Sequence, residues 1–182
     1  MIRPLKWSAT MIAIALTAAA CGSDPRTFTV AVDAELSGEA PFGVQSSGEI
    51  RLDRGGTAEG AIVFEATEAV VLDDIRWTFS AVRGDAMFAT AGHGCGPSID
   101  PGSDRIQFAC TEDYRYLAVE PGKPLTETIT LYGGLEGGPV ATGIFVFRQP
   151  ITWWRASGNP LDPRGEKGGE VVVTLTYTIR TR

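Results

Sequence analysis

At 182 residues, 43% hydrophobic and 21% charged, the chain is too apolar for a disordered polypeptide and long enough to bury one substantial core. Its formal net charge is −6 and it carries no run of Arg or Lys. That pattern disfavours nucleic acid as a partner, and also pairing with an anionic membrane surface beyond any lipid the chain itself carries.

Arg3 and Lys6 open the chain, and the 14 residues from Trp7 to Ala20 form an almost uncharged run rich in Ala, Ile and Met. The run ends in Ala18-Ala19-Ala20-Cys21. A basic start, an apolar centre and small residues before a cut describe an export signal rather than a fold element. This end resembles the lipobox of bacterial lipoproteins, with Ala18 where that family usually has Leu. In that family the Cys becomes the first mature residue and carries the lipid. The resemblance therefore implies a signal peptide over residues 1–20, lipid attachment at Cys21, a tether over residues 21–26 and a domain over residues 27–182. It also implies stable anchoring in the bacterial cell envelope, periplasmic or surface-exposed. Gly22, where an Asp would stand otherwise, leans toward the outer membrane if there is one. Read without the resemblance, the same residues fit an ordinary secretory signal. A membrane-spanning helix fits less well, since it needs roughly 20 apolar residues. Loss of Arg3 and Lys6 with the signal takes the charge to −8 over the remaining 162 residues.

From Thr27 onward the dominant period is two. Phe28, Val30, Val32 and Leu36 alternate with Thr29, Asp33 and Glu35, Ile50 and Leu52 alternate with Glu49, Arg51 and Asp53, and Ile62 and Phe64 continue the period. Ile75, Trp77 and Phe79 continue the pattern, followed by Ile106, Phe108 and Cys110. Leu125, Ile129 and Leu131 share a face opposite Thr126, Thr128 and Thr130. Ile144 to Phe147 is apolar on both faces and reads as a central strand. In the last run, Val171, Val173, Leu175, Tyr177 and Ile179 alternate with Val172, Thr174, Thr176, Thr178 and Arg180. Five alternations of β-branched and aromatic residues suit a strand and not a helix. Gly, Pro, Asp and Ser clusters separate the runs. Glu65 to Leu72 has room for one helical turn at most.

About nine short strands with regular turn signals predict an all-β chain folded as a single β-sandwich, with a β-barrel as the alternative. The style is immunoglobulin-like, with Trp77 as the Trp packed between sheets. Both later cysteines follow Trp77, unlike the bridge of a true immunoglobulin domain, so the expectation concerns architecture and not family.

With Cys21 lipidated, Cys95 and Cys110 remain as a pair, and an exported compartment favours a disulfide. Its loop of about 15 residues is worth roughly 3 kcal/mol in the chain-entropy model. A metal site built on His93 and Cys95 is disfavoured, because two ligands do not make a tetrahedral zinc centre and His93 is the only His. Asp100-Pro101-Gly102-Ser103-Asp104 offers two carboxylates where calcium takes six to eight oxygens, so it reads as a turn. Asp73-Asp74 and Glu112-Asp113 read as solvated turns. No nucleophile elbow, phosphate-cradling loop or paired-His motif occurs. The expectation is a protein without catalytic residues, metal or cofactor.

Ile151-Thr152-Trp153-Trp154-Arg155 is the candidate contact surface. On a strand the two Trp side chains face opposite ways, so at most one is core and the other is at least half exposed. Ala156 to Gly169 reads as the longest loop. Exposed Trp beside polar loops suits a protein interface or stacking on sugar rings. The leading expectation is a lipid-anchored envelope protein whose sandwich has a structural or protein-binding role. A glycan-binding module using Trp153 or Trp154 is the alternative, and a hydrolase with an unrecognised site the third.

Overall fold

The structure is a computed structural model that describes residues 26–73, 75–98, 107–111, 116–134, 138–159 and 161–182. The signal segment, Cys21 and the tether up to residue 25 lie outside the described residues.

The described residues form thirteen strands and no helix. They are β1 (Thr27–Ser37), β2 (Phe42–Ser46), β3 (Gly48–Asp53), β4 (Thr57–Ala66), β5 (Val70–Leu72), β6 (Thr78–Arg83) and β7 (Ala86–Gly92). Then follow β8 (Cys95–Ser98), β9 (Gln107–Cys110), β10 (Leu117–Val119), β11 (Leu125–Tyr132), β12 (Gly143–Ala156) and β13 (Arg164–Thr181). One sheet has the order β10-β5-β12-β13-β1-β3, the second β2-β4-β11-β7-β6, and β8 and β9 form a separate pair. The two large curled sheets close on a common core, a sandwich with the half-barrel curvature that twist produces.

The core follows the period-two pattern. Phe28, Val30 and Val32 of β1, Leu52 of β3 and the odd-numbered residues Val171 to Ile179 of β13 line one inner face. Ile62 and Phe64 of β4, Phe88 of β7 and Ile129 and Leu131 of β11 line the other. Trp77 is fully buried between the sheets, 6.5 Å from Phe64 and 6.3 Å from Phe147 between ring centroids. It sits just ahead of β6 rather than within a strand, and its backbone carbonyl accepts from Gly92 N at 2.6 Å. Gly92 leaves the room for it, since a Cβ there would stand 2.6 Å from Trp77 Cδ1.

The architecture matches the expectation, while several local boundaries differ. The strand count exceeds nine because β5, β8, β9 and β10 are only three or four residues long, too short to show a period. Glu65 to Leu72 has no helical turn and instead ends β4 and supplies β5. Residues 164–169, expected in a loop, extend β13, and the β12–β13 ribbon absorbs its glycines through register shifts at Trp153/Trp154 and Trp154/Ala156.

The expected central position of Ile144 to Phe147 is corrected. These residues pair with β13 on one side, whereas β5 reaches only Trp153 to Arg155 of β12. Ile144 is 62% exposed and Val146 51%, and the two phenylalanines alone turn inward. An apolar run reads alike whether one face or both are buried, so composition could not separate the cases.

Tyr177 carries a hydroxyl into the centre of the core, where Thr90 approaches it from the opposite sheet. Neither oxygen completes a hydrogen bond of normal geometry. Burial therefore dominates the weak contact with Thr90 and pushes the Tyr177 phenol up to about 12. The folded chain keeps this proton where the unfolded chain has lost it, so stability falls as pH rises from about 10 to about 12. Tyr177→Phe is expected to remove that component of alkaline unfolding while costing little at neutral pH, because the hydroxyl has no bond to lose. Urea melts of both proteins at neutral and alkaline pH measure the difference; equal alkaline losses would contradict it.

Candidate functional site

Trp153 and Trp154 are separated as strand geometry requires. Trp153 is 6% exposed and belongs to the core, edge-on to Phe42 at 6.2 Å. Its place as a ligand-binding residue is corrected accordingly: the ring lies under the backbone of Gly168 and has no open face to offer a ligand. Trp154 points to the outer face and is half-buried.

Trp154 does not stand alone there. Val71 of β5 is its direct partner in register and is 1% exposed, although Val70 and Leu72 on either side point into the inter-sheet core. Val71 is thus buried on the outer face, as the floor of a small aromatic cluster. Tyr116, immediately ahead of β10, meets Trp154 edge-to-face at 6.1 Å and 80°. The Arg164 guanidinium lies 4.4 Å from the Tyr116 ring centroid and 5.7 Å from that of Trp154. Stacking of this kind is attractive through the ring quadrupole.

The β12–β13 turn holds Arg164 in place. Ser157 Oγ donates to the Asp162 carbonyl at 2.6 Å and accepts from Asn159 N at 2.9 Å. Asn159 Oδ1 accepts from Leu161 N at 3.0 Å, the side-chain-to-backbone pattern that stabilises polar turns. Asp162 Oδ1 accepts from Arg164 Nε at 3.1 Å and from its backbone N at 3.3 Å. These bonds hold the Asp162 carboxyl below its usual range and raise Arg164 in turn. Beside the cluster, Arg155 pairs with Glu166 at 3.5 Å and with Glu68 at 3.9 Å, all well exposed, so each pair contributes little to stability. Leu161, at the tip of the turn, is 94% exposed.

The remaining residues singled out by sequence behave as follows. Cys95 and Cys110 sit directly opposite each other on β8 and β9 and form a disulfide with S–S 2.05 Å, which removes both thiols from nucleophilic or ligand chemistry. His93 lies exposed in the turn between β7 and β8. Asp74, Asp100 to Asp104 and Glu112-Asp113 lie outside the described residues, as does Cys21. Among the described residues no group of three or more His, Cys, Asp or Glu side chains gathers at one point. A cavity of about 320 Å³ is lined by Glu65, Ala66, Glu120, Gly122 and Pro124, and one of about 130 Å³ by Trp153, Arg155, Glu166, Lys167 and Gly168. Neither brings a Ser, Cys or His beside a base.

Tyr116, Arg164 and Val71 escaped the sequence reading because three separate strands and a turn bring them together. Glu127 escaped it as well, although its phase was a signal that could have found it. It is in phase with Ile129 and Leu131 and is 3% exposed on the core face. In comparisons with family models, with characterised proteins and with solved structures, the chain matches none.

Proposed function

We propose that this chain is a lipid-anchored envelope protein whose non-catalytic sandwich binds another protein through Trp154, Tyr116 and Arg164. The supporting observation is the composition of that cluster. Trp, Tyr and Arg are the residue types that dominate binding hot spots, and here all three meet on one outer face beside a fully exposed Leu161. The turn and Asp162 pre-order the guanidinium, which lowers the entropy cost of docking. The Cys95–Cys110 disulfide agrees with an oxidising, exported compartment.

A protein partner is preferred to a glycan because the guanidinium already covers the rings on which a sugar would stack. Each of Trp154→Ala and Arg164→Ala is expected to weaken the complex by about 2 kcal/mol or more, roughly 30-fold in Kd. The test is a photo-crosslinking residue at Leu161, compared with one at Glu59 on the outer face of the other sheet, in intact cells. A discrete adduct from position 161 alone, lost in Arg164→Glu, is the expected result. Retention of the chain on cell-wall polysaccharide, abolished by Trp154→Ala, would overturn it in favour of glycan binding.

A further inference from the structure

The arginines of this chain are scattered in sequence and gathered in space. Arg54 N donates to the Arg26 carbonyl at 2.8 Å, and Arg182 N to the Thr27 carbonyl at 3.2 Å. Arg51 and Arg180 flank Thr29 in register on the outer face of the first sheet. Arg83 Nη1 donates to the Thr142 carbonyl at 3.1 Å, next to the start of β12. Six arginines therefore cluster where β1 begins and β3, β6 and β13 end. Among the described residues only Asp53, Glu59 and Asp85 are acidic within two residues of the strand termini there. The chain as a whole has 22 acidic residues to 16 basic ones. The opposite end holds Glu35, Glu39, Glu65, Glu68, Glu120, Asp162 and Glu166 against Lys123, Arg155 and Arg164, each of which is paired with one of these carboxylates. The sandwich is thus polarised along its strands.

The basic end is also where the chain leaves for Cys21. The five residue-to-residue steps from Cys21 to Arg26 span at most about 18 Å, whereas the eleven residues of β1 run about 37 Å. At the same end Ile144 is 62% exposed, Val146 51% and Val82, beside Arg83, 51%. Basic groups interleaved with exposed apolar side chains suit the boundary of an anionic lipid surface. We infer that this end of the sandwich docks on the anionic headgroups of the membrane that holds the anchor. The orientation rests on the lipid reading of Cys21, but attraction to the headgroups does not. Trp154, on the outer face of the same sheet but near the far end of β12, is left open to a partner.

Among the described residues every core residue lies between Phe28 and Ile179, so a chain beginning at residue 22 keeps that core. That protein is mixed with vesicles of equal parts phosphatidylglycerol and phosphatidylcholine, and with phosphatidylcholine alone. The expected result is binding to the anionic vesicles only, weakening as salt is added. Each arginine at such a surface is worth about five-fold, so Arg51→Gln with Arg180→Gln lowers binding about 25-fold. Both side chains are exposed, and a thermal melt confirms the fold. Lys123→Gln at the opposite end leaves binding within about two-fold. Equal binding to both vesicle types, no effect of the arginine variants, or tight duplex-DNA binding without vesicle preference would each overturn the inference. The anchor is read separately: if full-length Cys21→Ala stays in the membrane fraction of expressing cells like the wild type, the anchor reading fails while a vesicle preference still stands.

Discussion

Replacing Trp77 with alanine is expected to cost about 3–5 kcal/mol, the largest single-residue loss in the domain. The ring has no exposed surface and packs against Phe64 of one sheet and Phe147 of the other, so its removal opens a void between sheets that cannot both move inward. Gly92 has no side chain to fill the gap. For a domain of this length the loss corresponds to a fall in Tm of roughly 6–20 °C. Trp77→Phe is the informative companion. Trp77 Nε1 has no hydrogen-bond partner among the described residues, so the smaller ring forfeits volume and no bond. Its cost is expected near 1–2 kcal/mol, consistent with a partial cavity. Urea melts of the three proteins test this; an alanine variant as stable as the phenylalanine one would show that the inter-sheet space collapses around the site.

Gly168→Ala is expected to destabilise the fold by about 1–3 kcal/mol, a large effect for one methyl group at an exposed backbone position. The added Cβ would stand 2.1–2.3 Å from three carbons of the Trp153 six-membered ring. That ring is wedged against Phe42 and cannot retreat without disturbing the core. The clash therefore works through Trp153, and this gives a sharp test. With Trp153→Leu in the background, Gly168→Ala is expected to cost under about 0.5 kcal/mol, so the two changes are strongly non-additive. Additive costs would locate the penalty in the backbone of the register shift instead.

Glycine at 168 illustrates how far the sequence carries. Its place in a Gly-rich stretch suggests a loop, yet it lies in β13 because a large ring on the neighbouring strand needs its space. The division between Trp153 and Trp154 was legible in advance, since successive strand residues must point to opposite faces. Which of the two is buried was not, because both flanks look alike. The disulfide was legible from parity and compartment, and the structure adds only that Cys95 and Cys110 are direct cross-strand partners. Ile144 and Val146 misled because an apolar run implies burial and cannot show that β5 stops short of them.

By itself, the order of residues determined the all-β class, the inward face of most strands and the buried role of Trp77 and Phe64. These follow from period-two alternation, a local property of the backbone. The contact cluster and the polarity of the domain were decided only in three dimensions. Tyr116, Trp154 and Arg164 meet because β10, β5, β12 and β13 are neighbours in one sheet. Six arginines separated by up to 156 positions become one basic end because antiparallel pairing returns strand termini to the same place. A net charge of −6 hides that arrangement, since a sum over the chain carries no information about where its charges stand.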